Sequence, residues 1–291
     1  MKIATTLSNQ LADYGRLMRI DRPIGTYLLL WPTLWALWIA AEGFPDQNLL
    51  IIFVLGTFLM RSAGCVINDL SDSRMDTHVE RTKDRPLPTG RVSKIEAVIL
   101  FSVLAATAFY LVLMTNSLTV AYAIVALGVA AIYPLMKRVT YLPQAVLGVA
   151  FSMGIPMAFA AQTGEVPAIA WLIFTANVLW TVMYDTFYAM VDRDDDLKAG
   201  IKSSAILFGE MDRLMAGILQ LLTLVTLLAV GYRLQLNNWY FGSLGIAGLF
   251  FIYQQYLVKD RLRYLCFSAF LNNHWVGMTV FLGILLSYGY A

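Results

Sequence analysis

Nine apolar runs of about 20 residues follow one another along the chain, and they restrict its fold more than any other feature. An α-helix rises 1.5 Å per residue, so a run of this length crosses a hydrocarbon core of roughly 30 Å. The sequence therefore predicts an all-α, polytopic membrane protein with nine transmembrane helices in one bundle. The predicted spans are 23–41, 48–67, 96–114, 118–136, 143–162, 167–188, 214–233, 239–257 and 268–289.

The composition and the first 22 residues predict an integral membrane protein whose first span is retained. Hydrophobic residues make up 59% of the chain and charged residues 14%, against roughly 45–50% and 25% in soluble domains. Residues 1–22 lack the apolar core of a signal peptide. Their apolar side chains recur every three or four positions, which predicts a short helix on the membrane surface, with a solvated tail as the alternative. These side chains are Ile3, Leu7, Leu11, Tyr14 and Met18.

Lysine and arginine predict the orientation of the spans. Positive residues accumulate on the cytoplasmic side of membrane proteins. In this chain they precede the first span and follow the second, fourth, sixth and eighth, whereas the opposite side carries only Arg233. The pattern predicts a cytoplasmic N-terminus and a C-terminus on the opposite, periplasmic side. Charged ligands are then expected to bind at the cytoplasmic face.

Two acidic clusters lie at the predicted cytoplasmic ends of the second and sixth spans. They are VINDLSDSRMD (66–76) and YDTFYAMVDRDDD (184–196). Carboxylates gathered in one place near a membrane repel each other unless a cation joins them. If each span continues as a helix, the spacing places the polar residues of each cluster on one face. The first face carries Arg61, Asn68, Asp72 and Asp76, and the second carries Asp185, Tyr188, Asp192 and Asp196, with Asn177 and Tyr184 close by.

Carboxylates combined with basic residues are typical of Mg²⁺ bound through the phosphates of a substrate. Mg²⁺ commonly takes one or two carboxylates together with phosphate oxygens, and arginine binds the remaining phosphate charge. Arg61 stands inside an apolar run, where arginine costs about 2.5–3.5 kcal/mol, so it must face a cavity or a partner. The sequence contains neither a P-loop nor a G-x-G-x-x-G motif, which disfavours a nucleotide phosphate.

Three other interpretations of the clusters stay open at this point. Charged residues just beyond a span are often simply solvated. Carboxylates also carry protons or cations in transporters and channels, although such sites usually lie near the middle of the bilayer. A lipid-binding module without catalysis would not need two acidic clusters. Both clusters lie at one mouth with basic residues nearby, which favours chemistry on an anionic substrate.

The chain resembles the UbiA-type intramembrane prenyltransferases along essentially its whole length. The two acidic clusters are similar to the two Asp-rich motifs of that family. Several segments closely resemble the proteobacterial 4-hydroxybenzoate polyprenyltransferases within it. These segments are RPIGTYLLLWPTLWALW (22–38), RTKDRPLPTG (81–90), YPLMKR (133–138), LPQAVLG (142–148), IPMAFAA (155–161) and DRDDDLKAGIKSSAILFG (192–209).

The resemblance implies a role for each polar residue of the site. The implied Mg²⁺ ligands on the polyprenyl diphosphate are Asn68, Asp72, Asp76, Asp192 and Asp196. The implied contacts to the diphosphate are Arg22, Arg85, Lys198 and Lys202, and Arg61 is a further substrate-binding candidate because of its position in an apolar run. Around the acceptor, Arg138 would bind the carboxylate, Asp185 and Tyr184 would orient the phenol, and Tyr133 or Tyr188 would shield a carbocation. The alternative is a topological role for the basic residues and packing for the tyrosines.

The implied reaction moves a polyprenyl group from polyprenyl diphosphate to the ring carbon ortho to the hydroxyl of 4-hydroxybenzoate. It releases diphosphate and belongs to ubiquinone biosynthesis, with dihydroxynaphthoate and haem as alternative acceptors. Residues 1–22 are then an N-terminal segment and residues 23–291 the prenyltransferase domain, in a bacterial inner membrane. The expected partners are the two substrates, Mg²⁺ and the lipid bilayer, and no nucleic-acid partner is predicted.

Overall fold

A computed structural model of the chain describes residues 2–72 and 84–289, and residues 1, 73–83 and 290–291 lie outside it. Within the helices, the side chains of residues 2–9, 72, 137, 138 and 199 also lie outside the described part. Every regular element in the described ranges is helical. The α-helices are α1 Lys2–Leu17, α2 Ile24–Ala40, α3 Gln47–Asp72, α4 Lys94–Leu113, α5 Ser117–Val139, α6 Pro143–Ser152, α7 Gly154–Thr163, α8 Ala168–Ala199, α9 Ser204–Phe208, α10 Asp212–Arg233, α11 Asn238–Leu257 and α12 Arg263–Gly289.

Within the described ranges, eight helical stretches are long and apolar enough to cross a membrane. They are Gln47–Ser71, Lys94–Leu113, Ser117–Met136, Pro143–Thr163, Ala168–Lys198, Ser204–Arg233, Asn238–Asp260 and Arg263–Gly289. The first predicted span coincides with α2, which is apolar but has only 17 residues. The all-α, multi-pass architecture is therefore confirmed, whereas the count of nine transmembrane helices is not.

The span predicted at 143–162 consists of two ten-residue helices, α6 and α7, which meet at Met153. Pro156 accounts for the interruption. Proline lacks an N–H group, and its ring collides with the carbonyl of the residue four positions earlier, which here is Ser152, the last residue of α6. Hydropathy alone does not reveal this break, because both halves are equally apolar.

One compact unit comprises Met1–Thr26 and Val54–Met114. Its buried core includes Leu17, Ala63, Val66, Leu87, Val92, Ala97 and Leu104. Gln10 Nε2 and Tyr14 OH each donate a hydrogen bond of 2.8 Å to Glu96 Oε1, which fastens α1 to α4. The bond to this carboxylate raises the pKa of the Tyr14 phenol. The predicted N-terminal helix is thus present, with Tyr14 and Leu17 packed against this core, and its place on the membrane surface stays a prediction.

The second unit comprises Tyr27–Phe53 and Thr115–Ala291, and tryptophans hold its centre. Trp35 and Trp180 stack with ring centroids 5.5 Å apart. Trp35 Nε1 donates to the carbonyl of Gly277 at 3.0 Å, and Trp180 Nε1 donates to Asn273 Oδ1 at 2.9 Å. These bonds connect α2 and α8 to α12 and fix the rotation of α8 about its axis.

We predict that Gly277→Ala destabilises the second unit. An added Cβ would lie 2.6 Å from Trp31 Cδ1 and 2.7 Å from Trp180 Cη2, and neither rigid ring can move aside cheaply. Overpacking of this kind costs about 1–3 kcal/mol, so the melting temperature of the detergent-solubilised protein should fall by several degrees. Gly245→Ala is the matched control, because an added Cβ there meets no atom of the described residues within 4 Å. Equal melting temperatures for both variants would contradict the packing described here.

Candidate functional site

The second acidic cluster lies on one long helix. The 32 residues of α8 span about 48 Å, about 18 Å more than a hydrocarbon core. The end of α8 therefore reaches beyond the hydrocarbon if its first residue lies at the opposite surface. Asp185, Tyr188, Asp192 and Asp196 follow one another along one face of this helix, and their side chains are all partly buried. The structure thus brings these four residues together as their spacing predicts.

The other two aspartates of this cluster, Asp194 and Asp195, lie off the face that carries Asp192 and Asp196, and both bind Arg263. Asp195 Oδ2 accepts a hydrogen bond of 3.0 Å from Arg263 Nη1, and Asp194 Oδ2 accepts one of 3.3 Å from Arg263 Nη2. Asp194 is exposed and Asp195 is partly buried. One arginine at the start of α12 therefore compensates the two carboxylates that do not belong to the predicted face.

The first acidic cluster is described only in part. Asn68 lies on α3, two turns after Arg61 and on the same face, and it is partly buried. Asp72 ends α3, but its side chain lies outside the described residues, as does the whole of Asp76. The predicted face is therefore described for Arg61 and Asn68 and stays a prediction for the two aspartates.

Gly25 leaves room for the side chain of Arg61. Its guanidinium lies over Gly25, where an added Cβ would come within 2.6 Å of Arg61 Cζ. Arg61 Nε is buried and has no hydrogen-bond partner among the described residues. A buried guanidinium with an unsatisfied N–H group is costly unless an anion or polar ligand completes it. This geometry suits the anion-binding role implied for Arg61.

Asp69, which lies between Asn68 and Asp72, is held by two arginines. Arg19 Nη2 donates to both oxygens of the carboxylate, at 2.9 and 2.8 Å, and Arg85 Nη1 donates to Oδ1 at 3.0 Å. The Asp69 side chain is only 2% exposed. Arg85, an implied diphosphate ligand, therefore also has a structural partner, and it connects the segment after residue 83 to α3.

The remaining implied diphosphate ligands occupy different environments. The Arg22 side chain is 74% exposed and lies 3.7 Å from Asp21. Lys198 is exposed near the end of α8. Lys202 Nζ donates to the carbonyl of Val139 at 3.3 Å and lies 5.2 Å from the centre of the Tyr141 ring. Lys202 therefore lies against the connection that follows α5, the helix that carries Arg138.

The segment that carries Lys202 has a defined conformation. Gly200 ends α8 in the left-handed conformation, with φ of 68°. Ser204 N donates to Gln144 Oε1 at 3.1 Å, and the hydroxyls of Thr186 and Ser204 are 2.8 Å apart. These buried bonds fix the start of α9 against α6 and α8.

Aromatic rings cover the middle of the α8 face. Tyr184 is 1% exposed, and its ring lies 5.3 Å from Trp180 and 6.0 Å from Phe270. The ring of Tyr188 lies 5.0 Å from Phe270 and 6.3 Å from Phe267. The two tyrosines implied beside the acceptor therefore belong to an aromatic cluster between α8 and α12. Such rings both pack and present faces that stabilise a cation.

The acceptor side of the predicted site is described less fully. Tyr133 lies on α5 and is partly buried, and the side chain of Arg138 lies outside the described residues. Asp185 is partly buried on α8, one residue after Tyr184. The roles implied for these three residues stay predictions.

Sequence reasoning missed the residues that support the site. These are Gly25, Arg19, Asp212, Arg261 and Arg263. From sequence alone, the last two arginines indicate only the orientation of a span, because their carboxylate partners are 49 and 68 or 69 residues away. Gly25, in contrast, offered a local signal, since glycine in the first turn of an apolar helix permits a close approach.

The predicted metal ligands are oxygen donors, which suit a magnesium ion. Within residues 2–72 and 84–289, acidic, histidine and cysteine side chains do not form a group of three that could hold a metal ion. Two of the five predicted ligands, Asp76 and the side chain of Asp72, lie outside these residues. The other three, Asn68, Asp192 and Asp196, are partly buried oxygen donors. Oxygen donors are the ligands Mg²⁺ prefers, so the described part of the set fits the ion.

The fold and the two clusters define a class of protein. It is a multi-pass, all-helical membrane protein with an acidic cluster at the end of each of two long helices and with arginines beside both clusters. The sequence profile of the UbiA prenyltransferase family matches residues 29–290. The chain belongs to the UbiA prenyltransferase family.

Curated relatives match almost the whole chain. The 4-hydroxybenzoate octaprenyltransferase of Vibrio atlanticus (strain LGP32) is 57% identical over 282 residues, which cover 97% of this chain and 99% of the relative. The 4-hydroxybenzoate octaprenyltransferase of Aeromonas salmonicida (strain A449) is 59% identical over 276 residues, covering 94% of this chain and 95% of the relative.

Solved structures share the fold. The apo structure of a UbiA homologue from Aeropyrum pernix K1 has a TM-score of 0.79 at 23% identity, covering 89% of this chain and 97% of its own. A UbiA homologue from Archaeoglobus fulgidus bound to GPP and Mg²⁺ has a TM-score of 0.70 at 16% identity, covering 94% and 99%. At these identities the likeness establishes the fold alone.

We predict that Asp69→Ala strongly destabilises the protein. The change removes the carboxylate between Arg19 and Arg85, and breaking a buried ion pair costs about 3–5 kcal/mol. Thermal unfolding in detergent would measure this loss. Asp21→Ala is the control, because Asp21 is half exposed and lies 3.7 Å from Arg22, and such surface pairs contribute about 0–1 kcal/mol. A melting temperature equal to that of the control would contradict a structural role for Asp69.

Proposed function

We propose that this chain transfers a polyprenyl group from polyprenyl diphosphate to the ring carbon ortho to the hydroxyl of 4-hydroxybenzoate, in ubiquinone biosynthesis. One observation carries the proposal: the relatives from Vibrio atlanticus and Aeromonas salmonicida that bear this activity in their names are 57% and 59% identical over nearly the full length. Their names favour an octaprenyl donor and 4-hydroxybenzoate over the dihydroxynaphthoate and haem acceptors considered from the sequence.

The metal-binding role is assigned to both acidic clusters. Asn68, Asp72 and Asp76 from the first cluster and Asp192 and Asp196 from the second would hold Mg²⁺ on the diphosphate. When bound, Mg²⁺ neutralises the diphosphate and makes it a better leaving group. The partly buried face of α8 and the oxygen donors of Asn68 support this assignment. It is further supported by the Archaeoglobus fulgidus homologue of the same fold, which is bound to GPP and Mg²⁺.

The basic residues would bind the negatively charged diphosphate oxygens that do not contact the metal. Arg61 has the strongest support, because its buried Nε lacks a hydrogen-bond partner among the described residues. Arg22 and Lys198 are exposed and able to reach a ligand. Arg85 and Lys202 already have protein partners, so their proposed part is to shape the surrounding segments as well as to contribute positive charge.

The reaction breaks one C–O bond and one ring C–H bond and forms one C–C bond, and the ring proton is released together with the diphosphate. The C–O bond of the prenyl diphosphate breaks, and diphosphate leaves with the electron pair. The ring carbon ortho to the phenol oxygen then forms a C–C bond with the allylic carbocation and loses its proton. Tyr133 or Tyr188 would shield the cation with its ring, and Asp185 and Tyr184 would orient the phenol. Arg138 would bind the acceptor carboxylate in bidentate geometry.

The orientation and the domain division are further parts of the proposal. The chain is a multi-pass membrane protein, and its lysine and arginine distribution favours a cytoplasmic N-terminus and a periplasmic C-terminus in the bacterial inner membrane. The proposed site then opens toward the cytoplasm, where both substrates and Mg²⁺ are available. Residues 1–22 would form an N-terminal segment and residues 23–291 the prenyltransferase domain.

The direct test is a transfer assay in liposomes with the purified chain, octaprenyl diphosphate, Mg²⁺ and a panel of acceptors. The proposal expects octaprenyl 4-hydroxybenzoate as the main product by mass spectrometry. A preference for dihydroxynaphthoate or haem would overturn the acceptor assignment. Cation or proton flux without any diphosphate would instead favour a transporter.

We predict that Asp192→Ala and Asp72→Ala each lower turnover at saturating Mg²⁺ by at least about 100-fold, because metal stabilisation of a leaving group is worth several kcal/mol. Both variants should insert and purify normally. Asp260→Ala provides the control, since Asp260 is exposed and its only described partner is Lys259 at 3.9 Å. Turnover near that of the wild type in either variant would exclude the two-cluster site.

We predict that Arg138→Ala raises the KM for 4-hydroxybenzoate and leaves the KM for the diphosphate nearly unchanged, as expected for lost binding of one substrate. A lost charge-assisted hydrogen bond costs about 1.5–3 kcal/mol, or roughly ten-fold or more in kcat/KM. Arg138→Lys should restore part of the loss, because lysine keeps the charge without the planar guanidinium. Arg233→Ala is the control, and equal changes in both KM values would remove Arg138 from the acceptor site.

A further inference from the structure

Asp212 is a fully buried carboxylate that the proposed reaction does not use. It is the first residue of α10, and its side chain is 0% exposed. Arg261 Nε donates to Oδ1 at 2.9 Å and to Oδ2 at 3.2 Å, and the backbone N–H of Arg213 donates to Oδ1 at 2.6 Å. Arg193 Nη1 lies 3.5 Å from Oδ2. A buried carboxylate is stable only with such compensation.

Arg193 links this buried carboxylate to the second acidic cluster, because it follows Asp192 directly on α8. At about 100° per residue, Arg193 projects about 80° to one side of the direction shared by Asp192 and Asp196, and Asp195 projects about 80° to the other. Arg193 pairs with Asp212, and Asp195 pairs with Arg263. Ion pairs therefore hold the end of α8 on both flanks of the proposed metal-binding face.

Arginines at the junction of α11 and α12 contact the residues on both flanks: Arg261 binds Asp212, the partner of Arg193, and Arg263 binds Asp195. Arg261 adopts φ of 52° there, a left-handed conformation that is unfavourable for a residue other than glycine. Its guanidinium also donates to the carbonyl of Glu210 at 2.7 Å. Arg263 begins α12 two residues later. The strained backbone at Arg261 places its side chain on Asp212 at the start of α10. Two residues later, Arg263 binds Asp194 and Asp195 at the end of α8.

We propose that Asp212, Arg193, Arg261 and Arg263 form a positioning device that fixes the rotation of the last turn of α8 and so aims Asp192 and Asp196 at the metal. This inference rests on the proposed function, because it takes those two aspartates as Mg²⁺ ligands. The end of a helix frays more easily than its middle, so it needs contacts of this kind to stay in place. Substitution of residues that orient metal ligands commonly changes the metal affinity by 10–100-fold.

The first test measures metal binding without turnover. Mn²⁺ alone replaces Mg²⁺, and loss of the electron paramagnetic resonance signal of free Mn²⁺ reports binding to the detergent-solubilised chain. Asp212→Asn keeps the size of the side chain but removes its charge, and we expect its Kd for Mn²⁺ to rise by about ten-fold. Asp260→Asn, at the same junction but exposed, should bind Mn²⁺ as the wild type does. Equal Kd values for Asp212→Asn and wild type would overturn the proposal.

The second test remains valid if Asp212→Asn does not fold. Arg263 is half exposed, so Arg263→Gln should fold while losing both pairs to Asp194 and Asp195. The Kd for Mn²⁺ and the Mg²⁺ concentration for half-maximal transfer should rise together, whereas the KM for 4-hydroxybenzoate should not change. Arg263→Lys, which keeps the charge, should restore most of the metal affinity. Loss of stability with unchanged metal affinity in Arg263→Gln would reduce the cluster to a structural role.

The wild type separates this inference from the proposed function. A wild-type chain that binds Mn²⁺ but transfers no prenyl group to any acceptor would overturn the proposed function and leave the positioning role testable by Mn²⁺ affinity. A wild-type chain that transfers the prenyl group while Arg263→Gln retains full metal affinity would overturn the positioning role alone.

Discussion

Carboxylates at the ends of two membrane helices repel one another, and this repulsion governs which side chains surround them. Four aspartates lie within five residues at the end of α8, and Asp69 and Asp72 lie together at the end of α3. Like charges this close repel one another, so nearby positive groups stabilise them. Arginines from distant parts of the chain compensate the aspartates that flank the proposed ligands: Arg19 and Arg85 at Asp69, and Arg263 at Asp194 and Asp195. In the proposed site, Mg²⁺ and the diphosphate it carries would bind Asp192 and Asp196 from α8.

A rigid scaffold is needed to keep the carboxylates of α8 on one face. Hydrogen bonds between helices supply this rigidity, which packing alone provides less well where lipid and protein are equally apolar. Trp180 is bonded to Asn273, Ser204 to Gln144, and Asn177 Nδ2 to Ser152 Oγ at 2.8 Å. Trp180 and Asn177 belong to α8, so buried hydrogen bonds hold this helix to α12 and α6, in addition to the ion pairs at its end.

Much of the fold was predictable because it follows from local physics. Apolar runs of about 20 residues become helices in a membrane, and the spacing of Asp185, Tyr188, Asp192 and Asp196 fixes a shared face once the segment is helical. The break at Met153 was missed, because it depends on the steric effect of Pro156 rather than on hydropathy. Asp69 and Asp212 were beyond sequence reasoning for a different cause: their arginine partners Arg19 and Arg261 are 50 and 49 residues away.

The distance between the bound metal and the diphosphate in the wild-type protein shows whether one metal ion joins the substrate to the acidic clusters. Mn²⁺ would replace Mg²⁺ in the presence of an unreactive prenyl thiodiphosphate, and electron–nuclear double resonance would detect ³¹P nuclei close to the metal. The account predicts a strong ³¹P coupling, because the acidic clusters and the diphosphate share the ion. A bound Mn²⁺ without ³¹P coupling, or no bound Mn²⁺ with the analogue in place, would contradict it.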